Sequence, residues 1–317
     1  MSLLIMTMVH DFSGEGYSDV YKLSPDKNQV PEVINNNLDN YFKFNDGCHV
    51  IMHVNKTYED FDTSKVDRPG VSILPKRFHF VHGDCQLAIL LNMFKHAVDS
   101  GIDFEYVTIN HSGEMYIKPG ALDYMRQYEY GIWHSGDSEV KNNNIEMWPP
   151  FSTVRLAKRR GFDMFDDLFD TSDLSNFAVS QLEGSFYKRE LFQKIYDWFD
   201  ERYEIDLTTD WSFYAEELFI PTLAYQLSDK AEAGQPVCGF FIGDVNGTQH
   251  GVLEDTKYIE AIRSNEPVLA WGKDNLPFWG LRLHTTPVDS THLYTVKRVN
   301  RIIDDPVRVA ITNLERK

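Results

Sequence analysis

The amino-acid sequence predicts an α/β protein with a central, mostly parallel mixed sheet flanked by helices. Two features of its pattern carry that expectation. Short apolar runs rich in β-branched residues alternate with stretches whose apolar residues recur three and four apart, which is how strands alternate with core-facing helices. The apolar runs also end in polar clusters, as strands of an open α/β sheet do where ligands are held. A hydrophobic content of 42% over 317 residues gives ample material for a core.

The elements follow in order. Residues 30–44 read as a helix leading into a turn at Asn45-Asp46-Gly47. Cys48-His49-Val50-Ile51-Met52-His53-Val54 is a buried strand, with polar Asn55-Lys56-Thr57 at its C-terminal end. Residues 85–99 form a core-facing helix, and Gly101 is its C-cap. Phe104-Glu105-Tyr106-Val107-Thr108-Ile109 is a second strand, ending in Asn110-His111-Ser112-Gly113-Glu114. A strand-like approach over 181–187 leads into an amphipathic helix at 189–203, and a further helix covers about 213–228. Gly239-Phe240-Phe241-Ile242-Gly243 reads as a strand, and 291–317 as short strand or coil followed by a basic segment. The chain is expected to form one domain over 1–317, with 134–180 a loop-rich insertion or mobile segment.

Composition narrows the function classes. With 31 Lys and Arg against 48 Asp and Glu, the formal net charge is −17, which argues against nucleic acid as a general partner because phosphate backbones demand a basic surface. A local basic pocket for a phosphate ligand remains compatible with that charge. Three cysteines form neither a disulfide framework nor a zinc-ribbon spacing, so reduced thiols in an intracellular protein are expected. No window approaches the ~20 consecutive apolar residues of a spanning helix. The apolar start, Met1-Ser2-Leu3-Leu4-Ile5-Met6, lacks a basic region before it and makes a poor signal peptide. Without a P-loop, GxGxxG or GxSxG motif, nucleotide hydrolysis, Rossmann cofactor binding and α/β-hydrolase chemistry lose their usual warrants.

Four constellations could carry chemistry. The adjacent Glu216 and Glu217 lie about 100° apart on a helix, so one can face a cleft. Apolar surroundings would raise its pKa and suit it to proton abstraction. The alternative is a helix first turn that favours acids for its dipole. Gly184 and Ser185, at a strand-to-helix approach, let backbone run close to a ligand, or else simply form a turn. Lys297, Arg298 and Arg301, with Arg282 upstream, could hold a diphosphate or form a solvated basic face. His79, His82 and Asp84 superficially resemble metal ligands but have no further ligand at a recognised interval. Asp166-Asp167 and Asp304-Asp305-Pro306 are not convincing metal-binding acidic motifs.

Taken in order, these segments resemble the core-2/I-branching β-1,6-N-acetylglucosaminyltransferase family, which also includes peptide O-xylosyltransferases and bacterial members. Ile51-Met52-His53-Val54-Asn55-Lys56 is similar to the family's apolar strand ending in His-Val-Asp, with Asn for Asp. Ser112-Gly113-Glu114-Met115-Tyr116-Ile117-Lys118 resembles its Ser-Gly-x-Asp-x-Pro-Ile-Lys turn, with Glu for Asp. Gly184-Ser185-Phe186-Tyr187 followed by Arg189-Glu190 resembles its Gly-Ser-x-(Trp/Tyr)-Phe…Arg-Glu segment. Glu216-Glu217 through Thr222-Leu223 resembles the segment that carries the catalytic base, and Leu293-Tyr294-Thr295-Val296-Lys297-Arg298-Val299 resembles the one whose Lys binds the diphosphate. The match runs over roughly 48–303. The aromatic that often precedes Gly83 is His82 here, and 134–180 carries no family pattern.

The resemblance implies a GT-A-like fold and an inverting, metal-independent transfer of a sugar, GlcNAc or xylose-like, from a UDP-sugar to an acceptor hydroxyl. It implies Glu217 as the base with Glu216 beside it. His53, Asn55, Ser112, Glu114, Gly184, Ser185, Arg282, Lys297 and Arg298 are then the expected nucleotide-sugar contacts. The expected cofactor set is empty: UDP-sugar is the donor substrate and no metal is needed. The expected partners are that donor and a glycan or glycolipid acceptor, without nucleic acid and without a membrane span, peripheral membrane association being left open. A bacterial-type cytoplasmic enzyme of surface polysaccharide or glycolipid synthesis is the resulting expectation. Two other classes stay open: a nucleotide- or glycan-binding protein that keeps the fold without activity, suggested by Asn55 and Glu114, and a metal hydrolase built on His79, His82 and Asp84.

Overall fold

The computed structural model describes residues 2–9, 30–56, 58–79, 86–132, 134–135, 178–180, 182–205, 215–229, 232–239, 253, 256–268 and 289–316. Strand β1 (Leu3–Val9) precedes helix α1 (Val30–Phe44), strand β2 (His49–Val54), strand β3 (Val71–Ile73), helix α2 (Gln86–Asp99) and strand β4 (Tyr106–Asn110). Strand β5 (Met115–Tyr116), helix α3 (Ala121–Met125) and strands β6 (Tyr130–Gly131), β7 (His134–Ser135), β8 (Ala178–Val179) and β9 (Phe186–Lys188) come next. Helices α4 (Arg189–Asp200) and α5 (Glu216–Leu227), strand β10 (Cys238–Gly239), helix α6 (Lys257–Arg263), strand β11 (Thr295–Val296) and helix α7 (Pro306–Thr312) complete the order.

The main sheet runs β3-β2-β1-β4-β9-β6. The first four strands are parallel, β9 is antiparallel to β4, and β6 is antiparallel to β9. The sheet is therefore mixed and mostly parallel, with helices on both faces. Helices α2, α4 and α5 pack with Leu4, Met6, Ile51, Val107 and Ile109 on one side. Helix α1 and α3 pack with Leu3, Ile5, Val50, Met52 and Tyr106 on the other. A second sheet, β10-β11-β5, lies over a third apolar cluster that includes α6 and α7 residues.

The apolar N-terminal stretch, to which the sequence reading gave no element, is the centre of the main sheet. All seven residues of β1 are buried because helices cover both faces, so the strand reads as an unbroken apolar run rather than an alternating one. Helix α2 shows the same logic: Leu87, Ile89, Leu90, Leu91, Met93 and Phe94 are all buried. It ends at Gly101 (φ 69°), with Ile102 N–H bonded to the Ala97 carbonyl and Gly101 N–H to that of Val98, a Schellman cap.

The C-terminal expectation of strand or coil followed by a basic segment needs correcting, since the segment carries α7. Asp305 caps that helix, its carboxylate accepting from the N–H groups of Val307 (3.0 Å) and Arg308 (3.2 Å), and Pro306 occupies the first turn. Most of 134–180 lies outside the described residues, but its two ends pair as β7 and β8. The expected strand at 239–243 is described only as far as Gly239.

Candidate functional site

The parallel strand order turns at β1, because β2 pairs on one side of it and β4 on the other. Ligands in open α/β sheets sit outside the C-terminal strand ends at such a switch point. The turn that leaves β4 there is held by its own polar groups. Glu114 N–H donates to the His111 carbonyl (2.8 Å), and Gly113 N–H donates to His111 Nδ1 (3.1 Å). Asn37 on α1 donates to the Ser112 carbonyl (2.6 Å).

Glu114 is fully buried within this turn. Its carboxylate accepts from His111 N–H at 3.1 Å and from the Thr295 hydroxyl on β11 at 2.6 Å. Burial pushes its pKa up to about 7, above the ordinary 4.5, with Glu183 adding to the rise. The Thr295 and His111 hydrogen bonds and the Lys297 charge act the other way.

Strand β11 then brings in cations. Val296 is paired with Met115, and Val299 N–H next bonds the Gly113 carbonyl (3.0 Å), so Lys297 and Arg298 together stand opposite Glu114. That is a bulge, with Arg298 in the left-handed region at φ 69°. Bulges re-aim side chains, and here Lys297 forms an ion pair with Glu183. Arg301 returns to the β4 turn, donating to Ser112 Oγ at 3.1 and 3.0 Å and lying 3.2 Å from His111 Nδ1.

Glu183 owes its position to Gly184. At φ 68° Gly184 sits against Cys238, where a Cβ would meet the Cys238 backbone nitrogen at 2.4 Å. Gly184 N–H bonds the Ile109 carbonyl (3.0 Å), and Val237 N–H bonds the Gly184 carbonyl (2.9 Å). A short residue is thus required where β9, β4 and β10 converge, and the neighbouring carboxylate is delivered to Lys297.

Glu216 and Glu217 open α5. Glu216 is buried and Glu217 is half-buried. Burial is the main reason the Glu217 pKa stands well above its ordinary value; Glu216 and Glu183 raise it further, and Lys297 draws it down. A helix N-terminus favours an ionised acid by only about 0.3–1 kcal/mol, less than one pKa unit of desolvation, so burial wins. Pro221 shapes this turn. It lacks the N–H that would bond the Glu217 carbonyl, and Ser180 N–H takes that carbonyl at 3.0 Å instead. Thr222 adds a second tie, donating to the Ala178 carbonyl (2.8 Å) and accepting from its N–H (3.2 Å).

The structure therefore brings Glu114, Gly184, Lys297 and the Glu216–Glu217 turn into one electrostatic neighbourhood, with Arg298 and Ser112 at its edge. Other expected contacts are engaged in the fold. His53 is buried, its Nε2 accepting from Phe78 N–H (2.9 Å), and burial holds its pKa near 3, so the ring is neutral. Asn55 is buried beside β1, donating its N–H to the Val9 carbonyl (2.9 Å). Ser185 donates its hydroxyl to the Leu182 carbonyl (2.5 Å) and takes Thr108 Oγ1 (3.1 Å) on its own carbonyl. Arg282, His82 and Asp84 lie outside the described residues, while His79 is exposed.

Sequence reasoning missed Glu183 and Thr295 as site residues. Only adjacency to Gly184 and Lys297 could have pointed to them. Among the described residues no group of three or more His, Cys, Asp or Glu side chains is placed to hold a metal ion. Among them, too, no helix is long and apolar enough to cross a membrane. No protein-family model matches the chain, and no curated protein matches it.

Proposed function

We propose that the protein is an inverting, metal-independent glycosyltransferase of GT-A-like fold, moving a GlcNAc- or xylose-like sugar from a UDP-sugar to an acceptor hydroxyl. The observation that carries this reading is that Lys297, in the bulge after β11, pairs with Glu183, and that both charges act on Glu217 at the start of α5, far away in sequence. The switch point between β1 and β4 supports it, as does the order of the motifs along the chain.

In the reaction the acceptor oxygen forms a bond to the anomeric carbon while the bond from that carbon to the β-phosphate oxygen breaks. Glu217, as a carboxylate, takes the acceptor proton. Its raised pKa makes it a stronger base than an exposed glutamate, at the price of a smaller ionised fraction near neutral pH. The departing electron pair settles on the UDP β-phosphate, where the Lys297 ammonium offers a compensating positive charge. Glu114, buried and hydrogen-bonded through both oxygens, holds the β4 turn and β11 in register behind that charge.

Glu217→Gln keeps the shape and removes the base. Transfer from the accepted UDP-sugar should fall by about 10²–10⁴-fold while UDP affinity, read by titration calorimetry, stays within about threefold. Normal turnover in that variant would refute the assignment. UDP binding without transfer or donor hydrolysis in the unmodified protein would instead favour a binding protein on the same fold, with the Lys297–Glu183 pair as its anion gate.

A further inference from the structure

We infer that Glu183 is a resident competitor for the anion that Lys297 is placed to hold, and that it sets which ligands the site admits. This inference rests on the transfer reading above, because it takes the UDP diphosphate as that anion. The Lys297 and Glu183 side chains are only 13% and 17% exposed, so their ion pair is shielded from the solvent that weakens surface pairs. Glu183 holds this ammonium directly, and Glu114 and Glu217 both lie within electrostatic reach of the pair before any ligand arrives.

A phosphate approaching Lys297 meets donors already engaged by a carboxylate. An ammonium has three donors and could be shared, but a second anion beside Glu183 adds like-charge repulsion in a poorly solvated setting. A diphosphate must therefore turn Glu183 aside. The backbone at this point does not need to move. Gly184 and Ser185 are fixed by bonds to the Ile109 and Leu182 carbonyls (3.0 and 2.9 Å), so the exchange is a side-chain rotation of Glu183. A multiply charged ligand displaces the carboxylate; a neutral nucleoside gains nothing from Lys297 and leaves the pair intact. Glu183 thus makes affinity depend on the phosphate charge rather than on the base and sugar alone.

Titration calorimetry with UDP and with uridine tests this on the unmodified protein, Glu183→Gln, Glu183→Ala and the Lys297→Met and Glu183→Gln/Lys297→Met backgrounds, with thermal melts confirming folding. Removing the competitor should tighten UDP about tenfold, the factor that about 1.4 kcal/mol represents, in both Glu183 variants. Uridine binding should not change, and the UDP gain should vanish once Lys297 is methionine. If the unmodified protein binds UDP and both Glu183 variants bind it equally or more weakly, the competitor role is overturned while the transfer reading stands. If neither the unmodified protein nor the Glu183 variants bind UDP, both fall together.

Discussion

Thr295 donates its hydroxyl to Glu114 at 2.6 Å, joining the strand that carries Lys297 to the turn that leaves the central sheet. The bond crosses from β11 to the turn between β4 and β5 and is buried at both ends. A hydrogen bond to an ionised group contributes about 1.5–3 kcal/mol, roughly twice the value for a neutral pair. The strength of this contact is therefore tied to whether Glu114 carries its proton.

Thr295→Val removes that donor with little change of shape. At pH 8, where Glu114 is largely ionised in the folded state, the loss should be about 2 kcal/mol of unfolding free energy. At pH 5, where Glu114 holds its proton, the loss should shrink to about 1 kcal/mol or less. Denaturant titrations at both pH values check this. An equal loss at the two would mean that Thr295 is filling space rather than supporting a charge.

The raised acids make stability fall as pH rises. Glu114 in the unfolded chain releases its proton near 4.5, while in the folded protein it holds it until about 7. Below the lower value both states are protonated and nothing is gained or lost. Between the two the folded state binds the extra proton, so stability declines as pH rises; above about 7 this contribution stays level. Glu217, also raised by burial, adds to the decline. Glu114→Gln should flatten the fall between pH 5 and 8 by at most about 3 kcal/mol, measured by denaturation across that range. Parallel curves for variant and parent would refute the account.

Most of the main sheet's surroundings were legible from pattern. Helix α1 and the apolar helix α2 were visible because their spacing matches one helical face, and Gly101 because only an αL cap fits there. Strand β1 was hidden because burial on both faces erases alternation, and α7 because Asp304-Asp305-Pro306 was weighed as metal-binding chemistry rather than as a helix cap. At the candidate site, Glu217 and Lys297 stand out in the sequence as an acidic pair and a basic cluster, and Glu114 only through motif order. Glu183 does not, because its part depends on the left-handed turn at Gly184 and on a bulge at Arg298, neither of which has a sequence period.

Gly184→Ala tests how far that turn positions the cluster. The new Cβ would lie 2.3 Å from Cys238 Cβ and 2.4 Å from its backbone nitrogen, in a conformation that already disfavours alanine. Because the clash is with backbone, relief requires β9 and β10 to separate. A destabilisation of about 3 kcal/mol or more is expected, or failure to fold. Thermal and chemical denaturation read it, and a loss below about 1 kcal/mol would show that the convergence of strands at Gly184 is looser than the geometry implies.

Arg308 supplies the last prediction, because it connects the candidate site to the C-terminal helix. Its guanidinium is fully buried and donates to the Asn300 carbonyl (2.6 Å) and to the side-chain oxygens of Asn36 (2.7 Å) and Asn37 (2.8 Å). Burial lowers its pKa to about 10, which leaves it charged at neutral pH. Asn37 in turn holds the Ser112 carbonyl, and Asn300 follows the bulge that carries Lys297, so one side chain braces both halves of the site. Arg308→Met strips three acceptors of their donor, the Asn37 oxygen among them buried, and should destabilise by about 3 kcal/mol; Arg308→Lys, which keeps the charge but not the fork, should fall between. The brace makes a local prediction as well. Amide exchange at Glu114 and Val299, whose N–H groups bond the His111 and Gly113 carbonyls, should speed up more than at β1 amides such as Ile5. A uniform increase along the chain would reduce Arg308 to an ordinary core residue, whereas a rise confined to the β4 turn and the bulge would show that α7 holds Lys297 against Glu114 from behind.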